Sequence, residues 1–169
     1  MKKLLLSLAA VCSAFVMNAA AITVYDSTSP ATWTKSGDNF YFEKTIDGQK
    51  FKVTLAKDGS TNALRDPVDA VFRVYKNASF TVESSTTNMT QVVVTYDGNT
   101  SYQGDCAITP ETWSGSRDGA TYTLTNASGG NTVTLKATNN QVRVKKIEVT
   151  IPDAPEKAVK TPTFSLVKT

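Results

Sequence analysis

Asp66 and Asp69, in RDPVDAV, are the carboxylates whose spacing first invites a chemical reading. Glycoside hydrolysis needs two carboxyls held on opposite sides of a scissile bond in a cleft, which a short spacing around Pro67 does not supply. Aspartates so placed more readily cap turns, accepting hydrogen bonds from nearby backbone amides. The chain has no histidine, which removes the commonest general base, the base of a serine triad and the commonest metal ligand together. Asp58-Gly59-Ser60, Asp97-Gly98-Asn99 and Asp118-Gly119 could offer oxygens to calcium, which takes roughly six to eight, but none matches an ordered calcium loop with its closing bidentate Glu. Turn chemistry explains these loops more simply. No catalytic residue, metal site or cofactor is assigned.

Aromatic rings offer a different chemistry. A flat Trp or Tyr ring can stack on the C–H face of a sugar while loop polar groups bind its hydroxyls. Trp33, Tyr102 and Trp113 lie in polar, turn-flanked contexts where such a platform could form. Large aromatics in a small sandwich also close the ends of its core. If these three prove coplanar and exposed, a binding module is favoured; if buried, a spacer.

The elements that would position these rings begin after an export signal. Met1-Lys2-Lys3, the uncharged LLLSLAAVCSAFVM and Ala19-Ala20-Ala21 have the order of a secretory signal peptide, with a helical core and cleavage after Ala21. The apolar run is too short and too rich in small residues for a membrane span, which needs roughly 20 apolar residues. Cys12 could be a lipidated cysteine, but Val11 precedes it where that signal wants Gly, Ala or Ser. With Cys12 removed, Cys106 is alone, so no internal disulfide forms despite an oxidising destination. Its Gly-Asp-Cys-Ala-Ile context suits a small buried hydrophobe better than a thiol paired between molecules. Loss of Lys2 and Lys3 leaves 16 of the 18 basic residues against 15 acidic, a net charge of +1. Charges of both signs are interspersed, so nucleic acid and anionic membrane are not expected partners. Four Asn-x-Ser/Thr sequons, at Asn77, Asn88, Asn99 and Asn126, are attributed to the Ser- and Thr-rich composition.

Period-2 alternation dominates the chain beyond the signal. FKVTL at 51–55, SFTVES at 79–84, QVVVTY at 91–96, TYTLT at 121–125 and TVTLKAT at 132–138 read as strands. Asp47-Gly48 between two such runs suits a type I′ hairpin. Asp97-Gly98 and Ser128-Gly129-Gly130-Asn131 mark further reversals. Near the end, QVRVKKIEVTI breaks step: Val142 and Val144 share one face, but Ile147, Val149 and Ile151 fall on the opposite parity. A β-bulge at Lys145-Lys146 would restore the phase, leaving Arg143 and Lys145 as a solvated stripe that discourages edge pairing. A polyanion site there is the competitor, opposed by Glu148 and the near-neutral total charge. The fold class expected is all-β, an antiparallel sandwich. Residues 1–21 are assigned to the signal, 22–151 to the sandwich, and 152–169, with Pro152, Pro155 and Pro162, to a linker and a truncated following module.

The blocks AVFRVYKNASFTVESS, QVVVTYDGNTSY, ETWSGSRDGATYTLT and QVRVKKIEVTI resemble, in order and spacing, a small β-sandwich module of secreted multidomain proteins from Bacteroidetes-type bacteria. Arg73-Val74-Tyr75-Lys76 leading into a strand and the Trp113-Ser114-Gly115 motif carry much of the resemblance, which covers residues 40–151. KTPTFS resembles the opening of the immunoglobulin-like repeat at the C-termini of some chitobiase-type enzymes. The resemblance implies a jelly-roll-like, non-enzymatic accessory module at the cell surface or outside the cell. Glycan binding or surface adhesion, through carbohydrate and neighbouring domains as partners, is the expected function. A purely structural spacer is the alternative, and a carboxylate-based glycosidase a remote one.

Overall fold

The computed structural model describes residue 19 and residues 21–29, 31–62, 64 and 71–152. The signal helix, Asp66 and Asp69, and the tail from 153 onward lie outside the described residues. Within them the strands are, in chain order, β1 (Ala21–Asp26), β2 (Thr34–Ser36), β3 (Asn39–Ile46), β4 (Gln49–Ala56), β5 (Phe72–Val74), β6 (Ser79–Ser84), β7 (Met89–Tyr96), β8 (Cys106–Thr109), β9 (Ser114–Asp118), β10 (Thr121–Gly130), β11 (Thr132–Ala137) and β12 (Val142–Thr150). A 3-10 turn at Thr100–Tyr102 joins β7 to β8.

Two antiparallel sheets pack face to face. The first runs β1-β12-β7-β10-β9, with β5 continuing the β1 side of β12; the second runs β2-β3-β4-β6-β11-β8. From β6 onward the chain changes sheet at almost every step, the jelly-roll-like path expected of this sandwich. Alternation supplies the core. Phe51, Val53 and Leu55 of β4, Phe80 and Val82 of β6, and Val133 and Leu135 of β11 are fully buried. From the other sheet Val92 and Val94 of β7, Leu124 of β10, and Ile147 and Val149 of β12 are equally buried. Each such side chain contributes about 1.5–3 kcal/mol by leaving water.

The β3–β4 hairpin turns on Asp47 (φ 50°) and Gly48 (φ 76°), the two positive-φ positions of a type I′ turn. That turn fixes the register from Ile46 opposite Gln49 back to Phe40 opposite Leu55. The phase break in β12 is a bulge: Val144 pairs with Tyr96 and Lys146 with Thr95, leaving Lys145 as the inserted residue. Val142, Val144, Ile147 and Val149 consequently enter one core. A second register shift in β1, between Thr23 and Tyr25, inserts Val24, so that Val24 and Tyr25 are both buried.

Two expectations change. β12 is an interior strand, flanked by β1 and β5 on one side and β7 on the other, so RVKK guards no edge. Its Arg143 is largely covered, and Lys146 pairs with Glu148 at 2.7 Å, so the expected solvated stripe shrinks to Lys145. The reversal expected at Ser128-Gly129-Gly130-Asn131 joins two sheets: β10 continues to Gly130, the chain bends at Asn131 and it enters the other sheet as β11. The reversal expected at Asp97-Gly98 likewise leads through the 3-10 turn into the opposite sheet.

Burial also sets the alkaline limit of the fold. It pushes the Tyr25 phenol up from 10.0 to about 12, with the neighbouring Asp26 carboxylate adding to the shift. Tyr96 is raised by burial too, with Cys106 beside it. The unfolded chain releases these protons near pH 10 while the fold retains them, so stability is full below pH 10 and falls as pH rises toward 12. In an alkaline titration, tyrosinate absorbance from these two residues should appear together with loss of the β-sheet circular dichroism signal. Ionisation of all six tyrosines near pH 10 with the fold intact would contradict this.

Candidate ligand-binding site

The three rings read from the sequence as a sugar platform are not brought together. Trp33, half-buried, packs edge-on against Phe42 at 4.8 Å, Phe72 at 5.4 Å and Tyr25 at 6.2 Å between ring centroids. It belongs to the aromatic end of the core. Tyr102 is covered on one side by the Arg143 guanidinium, 3.3 Å from the ring centroid, and Arg143 lies 3.9 Å from Asp97. Trp113 is 4% exposed, and its Nε1–H donates to the Thr132 carbonyl at 3.0 Å. A Cβ on Gly130 would lie 3.0 Å from that same indole nitrogen, so glycine lets the β10 backbone close over the ring. The coplanar platform is therefore absent, and Trp113 and Trp33 are packing residues first.

Trp113 nevertheless lines a cleft of about 400 Å³, together with Pro110, Thr112, Asn126, Ser128 and Asn131. Asn126 organises its floor: the buried amide donates to Thr112 Oγ1 at 3.3 Å and accepts from the Ser128 backbone N–H at 3.2 Å. A second cleft of about 360 Å³ opens on the outer face of the second sheet, lined by Glu43, Lys50, Lys52, Glu83, Ser85 and Thr132. Asn131 and Thr132, where the chain passes from β10 to β11, line both. The two clefts thus share lining residues at one crossover. Each is of the size that takes small ligands, roughly 300–1,000 Å³.

Strand register places the charges of the second cleft. Glu43 on β3 is opposite Lys52 on β4, Lys52 is opposite Glu83 on β6, and Glu83 is opposite Thr132 on β11. Lys50 also reaches Glu43 at 3.2 Å. Two carboxylates and two ammonium groups balance, and the Lys52 ammonium also lies 4.8 Å from the Tyr41 ring centroid. The walls mix hydroxyl, amide and charged groups with the Phe51 ring and the aliphatic stems of Lys50 and Lys52.

A third, smaller cleft of about 220 Å³ lies between the edge strands β8 and β9, bounded by Tyr96, Asp105, Cys106, Arg117 and Tyr122. Arg117 is committed there, donating to Gly119 O at 3.1 Å, to the carbonyl and side chain of Gln103, and lying 3.6 Å from Asp105. The Cys106 thiol faces Tyr96 Oη at 3.6 Å, and burial raises its pKa. Cys106 is partly buried and packs against the core, rather than being the fully buried hydrophobe expected from its sequence context. Asp58 occupies a positive-φ turn position, and Asp118-Gly119 closes the β9–β10 hairpin. Among the described residues no cluster of three or more His, Cys, Asp or Glu could hold a metal. Nor is any described helix long and apolar enough to cross a membrane.

The fold and these clefts define an antiparallel β-sandwich with surface grooves of mixed polar and apolar lining. Compared with known proteins, the chain matches no family model, no curated protein and no solved structure.

Proposed function

We propose that the chain is an exported, non-catalytic β-sandwich module, an accessory part of a larger surface or extracellular protein of the Bacteroidetes-type group, and that it binds glycan through the paired clefts. The observation that carries this reading is that Asn131 and Thr132 line both clefts. A groove whose walls mix hydroxyls, amides and balanced charges with apolar surface suits a ligand that presents both hydroxyls and C–H faces. Trp113, although packed, supplies an apolar edge to one end.

The test is a glycan array probed with the full chain, followed by titration of any hit against Asn131→Ala. The Asn131 side chain is exposed, and the Asn131 carbonyl accepts from the Ser84 N–H whatever the side chain, so the variant should fold. Saturable binding, weakened about fivefold or more in Asn131→Ala, is expected from the loss of one or two hydrogen bonds. No binding to any glycan would favour the second reading, a structural spacer. The inward packing of Trp33 and Trp113 is the observation that favours that reading.

A further inference from the structure

The outward-facing positions of the second sheet line up across all six of its strands. Thr34 stands opposite Tyr41, Tyr41 opposite Thr54, Thr54 opposite Thr81, Thr81 opposite Thr134, and Thr134 opposite Thr109. The row carries five threonines and a tyrosine, and no formal charge. Thr81 Oγ1 and Thr134 Oγ1 share a hydrogen bond of 2.8 Å, which orients both hydroxyls and leaves each with further hydrogen-bonding capacity. Two positions along the same strands, Glu43, Lys52, Glu83 and Thr132 form the next row, which lines the second cleft. The threonine row therefore runs beside that cleft, one row away from its lining residues.

Neighbouring strands lie about 4.8 Å apart, close to the length of one pyranose residue in an extended β-linked polysaccharide. A chain of that kind laid across the strands meets one hydroxyl-bearing side chain per sugar. Threonine suits such a contact on two counts, because its hydroxyl both donates and accepts while its methyl covers the sugar C–H face. Charge selects in the same direction. Glu43 and Glu83 beside Lys50 and Lys52 leave the cleft balanced, so a polyanion or a polycation would meet like charge as often as opposite charge.

We infer that the Thr34–Thr109 row is the docking surface for an extended, uncharged, β-linked polysaccharide running perpendicular to the strands along the cleft. The inference rests on the glycan reading above and narrows it to a substrate class and a direction of binding. Calorimetry with the full chain tests it, using uncharged β-linked hexasaccharides of glucose and of N-acetylglucosamine, their disaccharides, and polygalacturonate as a charged control. At least one hexasaccharide should bind about tenfold or more tighter than its disaccharide, with affinity changing less than about twofold in about 1 M NaCl. The double variant Thr81→Val and Thr134→Val keeps β-branched side chains on the sheet, and should lower hexasaccharide affinity about tenfold. Thr109→Lys, on the exposed edge strand, should weaken binding without touching the interior pair and serves if the double variant melts early. Equal affinity for di- and hexasaccharide, or a hexasaccharide affinity that ignores both threonine variants yet falls in Asn131→Ala, would overturn the row while leaving glycan binding in place. A preference for polygalacturonate that salt abolishes would also overturn it. Failure of every glycan to bind removes both proposals.

Discussion

Deleting Lys145 should abolish folding, while Lys145→Ala should change stability by no more than about 0.5 kcal/mol. The contrast isolates the backbone of one residue from its side chain. Lys145 has an exposed side chain. Its presence in the chain, however, is what lets Val144 pair with Tyr96 and Lys146 with Thr95. Without it, one half of β12 must turn over. Either Val142 and Val144 or Ile147 and Val149 would face water, and all four are fully buried in the native fold. Exposing a pair costs about 3–6 kcal/mol at 1.5–3 kcal/mol per side chain, before the penalty of turning Lys146 or Glu148 inward. The Lys145 carbonyl also accepts the Ser27 N–H at 2.8 Å, a bond that holds the exit of β1. Such a loss is comparable with the whole net stability of an ordinary domain, about 5–15 kcal/mol. Urea unfolding followed by tryptophan fluorescence would measure both variants. A deletion variant with a midpoint near that of the parent would show that β12 can slip without turning over.

That bulge was legible because a parity break in an otherwise regular strand has few physical causes. The hairpin at Asp47-Gly48 was legible for a similar reason, since two adjacent positive-φ positions favour few residue types. β9 was not: Ser114–Asp118 has no buried residue and is a strand only because Thr121–Thr125 pairs with it. Val24 and Tyr25 were equally opaque, because a bulge between Thr23 and Tyr25 buries two consecutive residues where alternation would expose one. Gly129-Gly130 reads locally as a turn, yet close approach to Trp113 is what Gly130 provides. The site suffered most from this locality. Polar neighbours in sequence made Trp33, Tyr102 and Trp113 look exposed, but their partners Phe42, Phe72, Arg143 and Thr132 arrive from other strands or from β-strand ends far along the chain. The threonine row was half visible, since the hairpin alone sets Tyr41 opposite Thr54. Extending it to Thr81, Thr134 and Thr109 needs pairings between strands that no tight turn connects.

Phe72→Ala should cost about 3–5 kcal/mol, the range for removing a fully buried aromatic ring. Phe72 sits in β5, a strand of three residues, and its ring is the hub of the aromatic end of the sandwich. Centroids lie 5.1 Å away at Tyr25, 5.4 Å at Trp33 and 5.6 Å at Phe80, all in edge-to-face geometry. Those contacts tie β1, the segment before β2, and β6 to one side chain, so the cavity left by alanine would be shared among elements of both sheets and could not collapse locally. Trp33→Ala should cost less, because Trp33 is only half-buried. Edge-to-face pairs are worth about 0.5–1.5 kcal/mol beyond area burial, and the double variant should show coupling of that order. Chemical denaturation of the two single variants and the double variant provides the cycle. The same variants separate stability from binding: Trp33 lines neither of the paired clefts, so Trp33→Ala should melt earlier yet retain parental glycan affinity per folded molecule. Parental stability with binding lost would instead make Trp33 a ligand contact, and a cost below about 1 kcal/mol for Phe72→Ala would remove the hub.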